Sequence, residues 1–401
     1  MRKIIIKNIG PLEKVEIELA KVNVIIGPQS SGKSCVLKIA CFCTWVEKKI
    51  ELAQSVGDFA KDDYFIKELT RFHKLYGYFK KDSYIDYESD FLKFSYDAKT
   101  GKFLFSWKEK RWDYFRPKVS YIPAERNMVA AIPNWFDVKL YDDNIQSFMA
   151  DWDRARKMCT DYVDILNLGV SYKYDEHTNK DIVKVDDEST LELTNTSSGL
   201  QSLIPLFIHL GYIGNLHNLQ NQAQSFANKQ LSVNFLRTMY ETLFTENGGV
   251  TGEPGETVIG KDGKEQVTVT FYSAMIGPYQ LPFKNKQDAD KCNEIYMRYT
   301  KTHHAEIFLE EPENNLFPPT QVRLVDWLLK LTEGDNGACL FVATHSPYMM
   351  TAFLERELKD FKLFFEKKDG RKSTVVTATE SDVQEIYDDG IDVFYNIESY
   401  T

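Results

Sequence analysis

The sequence predicts an α/β fold, with a mixed central sheet, helices on both of its faces, an antiparallel β subdomain and a helical subdomain. Three apolar runs carry that prediction: Lys21–Ile26, Ala305–Leu309 and Ala338–Ala343. Each is short and nearly continuous, as a strand covered on both faces must be. Each ends in polar residues. After the first comes the glycine loop Gly27-Pro28-Gln29-Ser30-Ser31-Gly32-Lys33-Ser34, then a segment of helical character from Val36 to Leu52.

The other elements follow in order. Residues 3–8 and 15–19 read as short strands around a Gly10-Pro11 turn. From Tyr84 to Trp107 aromatic and polar residues alternate, with a turn at Asp97-Ala98-Lys99-Thr100-Gly101, so an antiparallel meander is expected. Val119–Pro123 reads as a strand, Asp142–Leu166 as mainly helical, Lys173–Leu193 as a hairpin turning near His177–Lys180, and Leu203–Tyr212 as a helix. Residues 218–298 read as an insertion with its own hairpin, having a Gln/Asn-rich helical start, a glycine-rich stretch from Asn247 to Gly263 and an alternating run Gln266–Phe271. Ser373–Thr379 and Val393–Ile397 are weaker strand candidates. The expected organisation is one unit over 1–401, with the meander at 84–116, a helical region at 141–215, the insertion at 218–298 and the remainder of the core at 299–401.

Composition narrows the function. The 401 residues are 43% hydrophobic and 27% charged, which suits a globular chain. The net charge of −10 argues against coating nucleic acid by charge alone. Clusters at Lys80-Lys81, Lys108–Arg111 and Lys367–Arg371 read as solvated faces or as the lining of a local basic groove. Met1–Lys7 lacks the apolar length of a signal peptide, and no run reaches the ~20 apolar residues that span a bilayer. The six cysteines have no paired metal spacing, and Cys41 and Cys43 read as buried packing. A cytoplasmic protein with no membrane partner is expected.

Four segments carry chemistry. Gly27–Ser34 fits G-x-x-x-x-G-K-[ST], in which backbone N–H groups curl around phosphates at a helix start. Gly27, Pro28, Gln29, Ser30, Ser31, Gly32, Lys33, Ser34 and Cys35 are therefore the expected ATP-binding residues. Lys33 would neutralise the β- and γ-phosphates, and Ser34 would ligate Mg²⁺. In Ile307-Phe308-Leu309-Glu310-Glu311-Pro312-Glu313 a strand delivers two acids at its carboxyl end. Glu310 suits a Mg²⁺ contact through water, and Glu311 a base for the attacking water. Leu340–Pro347 ends a further strand at His345, able to hydrogen-bond a γ-phosphate or the water. Asn195–Ser202, taken alone, is a helix N-cap with a glycine.

Taken in this order, the four segments resemble the ABC-type ATPase heads of the SMC, RecF and OLD-like group, a P-loop NTPase architecture. Ser197-Ser198-Gly199-Leu200-Gln201 matches that group's signature, Glu310–Pro318 its Glu-Glu-Pro-Glu segment, Thr344-His345-Ser346-Pro347 its switch histidine, and Ile6–Gly10 its first strand and turn. The phosphate loop has Gln29-Ser30 where the group often has Asn-Gly. The resemblance implies a head-to-tail dimer enclosing two ATP molecules, in which Ser197, Ser198, Gly199 and Gln201 contact the partner's nucleotide and Asn314-Asn315-Leu316 lie at the seam. It also implies a Mg²⁺-sensing glutamine, for which Gln54 and Gln146 are nominal candidates.

Long heptads are absent, and too few residues follow Pro347 for a nuclease domain. Tyr121-Ile122-Pro123-Ala124-Glu125-Arg126-Asn127 resembles a segment of stand-alone ATPases of prokaryotic anti-phage defence, such as those of the PARIS and Septu type. Arg126 there holds a phosphate, fastens the head, or forms a strand-end salt bridge. The function implied is an ATP-driven switch that controls a separate effector protein, a nuclease or toxin. The alternative is a repair or maintenance ATPase that clamps DNA directly.

Overall fold

A computed structural model describes residues 2–139, 141–220, 226–246, 249–250, 252–259, 265–356 and 358–389. Strands β1 (Arg2–Ile9) and β2 (Leu12–Leu19) form a hairpin, and β3 (Val22–Ile26) runs into the glycine loop. Helix α1 (Lys33–Ala53) follows, then α2 (Tyr64–His73) and the meander β4 (Phe79–Glu88), β5 (Leu92–Asp97), β6 (Lys102–Trp107). Strand β7 (Pro117–Ile122) leads towards α3 (Asn144–Arg156), α4 (Ser198–Gly214), α5 (Phe226–Leu243) and α6 (Lys286–Thr300). The last third alternates β8 (His304–Glu310), α7 (Pro318–Leu331), β9 (Cys339–Ala343), α8 (Pro347–Leu354), β10 (Phe361–Asp369) and β11 (Lys372–Thr377).

All eleven strands join one sheet, in the order β6-β5-β4-β1-β2-β11-β10-β3-β9-β8-β7. Its first half is antiparallel. From β10 to β7 the neighbours are all parallel. In that half Ile25 lies opposite both Ala343 and Phe364, Glu310 opposite Ala343, and Leu309 opposite Ile122, so five carboxyl ends reach one edge. That edge is where α/β sheets hold ligands.

Layering explains the continuous apolar runs. Val24, Ile26, Ile307, Leu309 and Val342 face one core with α3, α4, α7 and α8; Ile25, Phe308, Phe341 and Ala343 face a second core with α1, α2 and the meander. A period of two therefore splits each run between the layers, and every residue must be apolar. By contrast, β6 is an edge strand whose residues alternate between exposed and half-buried. A third, smaller core gathers Phe235, Leu236 and Met239 of α5 with Cys292, Ile295 and Tyr299 of α6 and a hairpin of Tyr272–Ile276 with Tyr279–Phe283.

Several sequence expectations need correction. The meander begins at Phe79 and is no separate layer, because β4 pairs with β1 and extends the central sheet. Helix occupies only Asn144–Arg156 of the 142–166 stretch; Val163–Asp164 then opens a four-stranded sheet with Ser171–Asp175, Lys180–Lys184 and Thr190–Glu192. Leu166 and Asn167 both take positive φ there, which ends any helical periodicity. The insertion has its expected hairpin, Glu253–Ile259 with Glu265–Thr270, and a second one, Tyr272–Ile276 with Tyr279–Phe283, that was not expected. Strand β10 was missed altogether, its end having been read as a basic cluster. Val393–Ile397, and parts of the glycine-rich stretch from 247 to 263, lie outside the described residues.

Candidate functional site

The loop between β3 and α1 is shaped from below and from within. Ser30 (φ 58°) and Gly32 (φ 130°) turn the chain over. A Cβ on Gly32 would lie 2.7 Å from Leu12 Cδ2 and 2.8 Å from Glu366 Oε1, so only glycine fits. Gly32 also caps α1 without a side-chain hydrogen bond, which leaves the first-turn N–H groups to whatever lies over the loop. Gln29 and Ser30 are exposed, Pro28 and Ser34 half-buried, and Gly27, Ser31, Lys33 and Cys35 buried. The Lys33 ammonium donates to the carbonyls of Gly27 at 2.8 Å and Pro28 at 2.7 Å. Burial pushes its pKa down to about 8, against the pull of Glu366, Glu311 and Glu313. Burial also drives the Cys35 thiol up to about 12, so it is not a reactive thiolate.

On the neighbouring strands, Glu310 is buried and accepts from the Ala124 N–H at 3.4 Å through one oxygen, while the other has no protein partner. Glu311 takes φ 40°, unusual for a residue with a Cβ, and its N–H donates to Ala343 O at 2.8 Å. Its carboxylate lies 3.6 Å from His345 Nε2 and accepts from Asn314 Nδ2 at 3.1 Å. The backbone N–H of His345 donates to Glu313 at 2.6 Å. Burial and Lys33 push the imidazole pKa down, with Glu311 opposing. The glycine loop, Glu310, Glu311 and His345 thus meet at one sheet edge.

Arg126 resolves the choice left open above. It is 1% exposed, and its guanidinium donates to the carbonyls of Glu310 at 2.9 Å, Glu311 at 2.8 Å and Pro312 at 3.2 Å. Burial lowers its pKa to about 10, with Glu313, Glu311 and Glu310 opposing. It fastens the acid-pair backbone and has no free face for a phosphate. Neither glutamine candidate reaches the site. Gln54 caps the far end of α1, ~30 Å from Lys33 by helix rise, and its side chain accepts from Arg111. Gln146 is exposed in the first turn of α3, beside Trp135 and Phe136. The segment next to Glu310 is Pro123-Ala124-Glu125, which contains no glutamine.

The Ser197–Gln201 segment stands apart from the loop. Ser197 and Ser198 are exposed; Ser197 caps α4 through Leu200 N at 3.4 Å, and Gln201 donates to Thr194 O at 2.9 Å and Thr196 O at 3.2 Å. Its nearest tie is to the turn after the acid pair, where Asn315 Nδ2 donates to Ser202 Oγ at 2.8 Å.

Sequence reasoning missed Glu366 on β10. Its carboxylate is fully buried beneath the loop, accepts from Ser31 Oγ, and leaves Oε1 unpaired. Its backbone also presses on Gly27, where a Cβ would lie 2.7 Å from Glu366 O. Burial raises its pKa to about 7, Ser31 and Lys33 opposing. The only sequence signal was a lone acid ending the apolar run Leu363-Phe364-Phe365.

Comparisons with known proteins followed. Three solved structures are similar at 11% identity: an SmcHead bound to the C-winged helix domain of ScpA (96% of this chain, 99% of that one, TM-score 0.39), an SMC head domain from Thermotoga maritima (94% and 98%, 0.40), and an Smc head domain with an extended coiled coil bound to a ScpA domain derived from Pyrococcus furiosus (97% and 99%, 0.32). These superpositions are too loose to carry residue roles across. A search of curated proteins found no match. A family profile described as an AAA domain matches residues 3–246. That match spans more than half of the chain, which therefore belongs to the AAA domain family.

Proposed function

We propose that the chain binds and hydrolyses ATP at Gly27–Cys35, with Glu311 as the base, and that a second copy completes the site head-to-tail. The observation that carries this reading is the meeting of Lys33, Glu310, Glu311 and His345 at the carboxyl ends of adjacent parallel strands. The phosphates would lie over the uncapped start of α1, where Lys33 would exchange the carbonyls of Gly27 and Pro28 for phosphate oxygens. Ser34 and Glu310 are hard oxygen donors of the kind Mg²⁺ takes, and the unpaired buried oxygen of Glu310 fits that role. The ion would neutralise charge on the transferring phosphoryl group. Glu311 would take the proton of the attacking water, its unusual backbone held by Arg126 and its carboxylate by Asn314. His345, neutral at pH 7, would hydrogen-bond the γ-phosphate.

The exposed Ser197 and Ser198, with no hydrogen bond to their own phosphate loop among the described residues, support action on the partner's nucleotide. The dimer would then be the ATP-bound state of a switch that controls a separate effector, a nuclease or toxin in anti-phage defence. Exposed Phe271, Tyr272, Met275 and Tyr279 on the 218–298 insertion offer that effector apolar contacts. Direct DNA clamping is weaker support for the same site. Of its cations, Lys108 pairs with Glu88 at 2.7 Å, and Arg111 stacks between Trp107 and Trp112.

The test is Glu311→Gln, sized by light scattering with and without Mg-ATP. The expected result is turnover reduced ~100-fold or more and an ATP-dependent dimer. A variant that stays monomeric under saturating ATP would sink the head-to-tail arrangement, and one that hydrolyses normally would remove Glu311 as base.

A further inference from the structure

A cavity of about 360 Å³ lies between α1, α2 and β7, at the low end of the size range of small-molecule sites. It is a different place from the phosphate loop: its α1 residues, Cys41 to Lys48, sit roughly 12 Å or more along the helix from Lys33. Trp45 and Phe72 are half-buried and give it aromatic walls. Three cations line it. Arg71 is spent on Glu68 and Asp142, and Lys118 on Asp151 at 2.6 Å. Lys48 has no hydrogen bond or ion pair among the described residues, and burial with Arg116, Lys118 and Lys49 nearby holds its amine well below the usual lysine range, Asp151 opposing. His73, also on the wall, is 1% exposed, and its Nδ1 has no partner. A lysine amine with no hydrogen-bond or ion-pair partner and an orphaned buried nitrogen, on walls that also carry Trp45 and Phe72, leave donors there for an anion.

We propose that this cavity is a second ligand site, for a small anion carrying a planar ring, of the nucleoside monophosphate class. The phosphate pairs with Lys48, and the ring packs against Trp45 and Phe72. The site also has a route to the first. Tyr121 lines the cavity, and its phenol pKa is raised first by burial and then by the Glu310 carboxylate. Beyond Tyr121 the same strand end carries Arg126, which holds the acid-pair backbone.

The experiment uses full-length chain carrying Lys33→Ala, so that the phosphate loop does not contribute, titrated calorimetrically and by tryptophan fluorescence with AMP, GMP, CMP and UMP in turn. At least one is expected to bind. Adding Lys48→Met should weaken it at least tenfold with the melting temperature kept, Lys48→Arg should restore it, and Trp45→Phe should remove the fluorescence change. The proposal is overturned if none of the four binds, or if Lys48→Met leaves the affinity unchanged. It is also overturned if inorganic phosphate alone binds with the same Lys48-dependent affinity, because the aromatic walls would then contribute nothing.

Discussion

Replacing Glu366 by Gln should make the protein more stable, by an amount that grows with pH. The carboxyl has an ordinary pKa of 4.5 and is raised to about 7 by burial under the loop. An acid whose folded-state pKa is raised favours the fold when protonated. Its contribution is complete below pH 4.5 and is lost as pH climbs through about 7. At 1.36 kcal/mol per pH unit, the ionised carboxylate costs ~3 kcal/mol at pH 7.5 and ~1 kcal/mol at pH 5. Glutamine has no proton to lose, and its carbonyl oxygen still accepts from Ser31. Urea denaturation of nucleotide-free wild type and variant should therefore show a gap that widens by ~2 kcal/mol between pH 5 and pH 7.5. The heat-denaturation counterpart, for a chain of 401 residues, is a gain of ~3–4 °C at the higher pH. Wild-type and variant curves that run parallel from pH 5 to 7.5 would refute the reasoning: Glu366 would then be ionised throughout, or reached by water.

Lys33→Ala removes the cation at the loop and should lower ATP affinity by at least ~100-fold, worth ~3 kcal/mol, in equilibrium binding. Arg126→Met takes the donor from the buried carbonyls of Glu310 and Pro312, while Glu311 O keeps the Asn314 N–H; an expected loss of ~2–4 kcal/mol would lower the melting point by ~2–5 °C, and kcat should fall while the KM for ATP holds. Gly32→Ala forces a Cβ to 2.7 Å from Leu12 and to a φ of 130°, so both ATP affinity and thermal stability should drop, by ~1–3 kcal/mol.

How much of this was legible in the sequence depended on how far apart the interacting residues are. The β3 strand, its loop and α1 are consecutive, and their periodicity and glycines reveal them directly. Glu310 and His345 were readable because each ends an apolar run, a pattern that buried parallel strands impose. Glu366 ends such a run too, but Lys367 and Lys368 follow it, and only tertiary pairing of β10 with β3 brings it under Ser31. The role of Arg126 was undecidable for the same reason: its partners lie about 185 positions away, and carbonyl acceptors leave no mark in sequence. The helix expected over 142–166 failed locally, at residues whose αL turn overrides propensity.

The parallel half of the sheet has a kinetic consequence. Strand β3 leaves the ribosome well before its two hydrogen-bonded neighbours, β9 and β10, which are encoded more than 300 residues later. At ~5–20 residues per second, that interval is on the order of 15–60 s. Throughout it β3, buried at every position in the fold, has both ladder edges open, and contacts of such long sequence separation form slowly even once synthesis ends. The nascent chain therefore passes through a period in which a holdase can capture it and a nucleotide cannot. Ribosome-bound chains truncated before Phe361 should be the forms most prone to aggregate and most dependent on such capture.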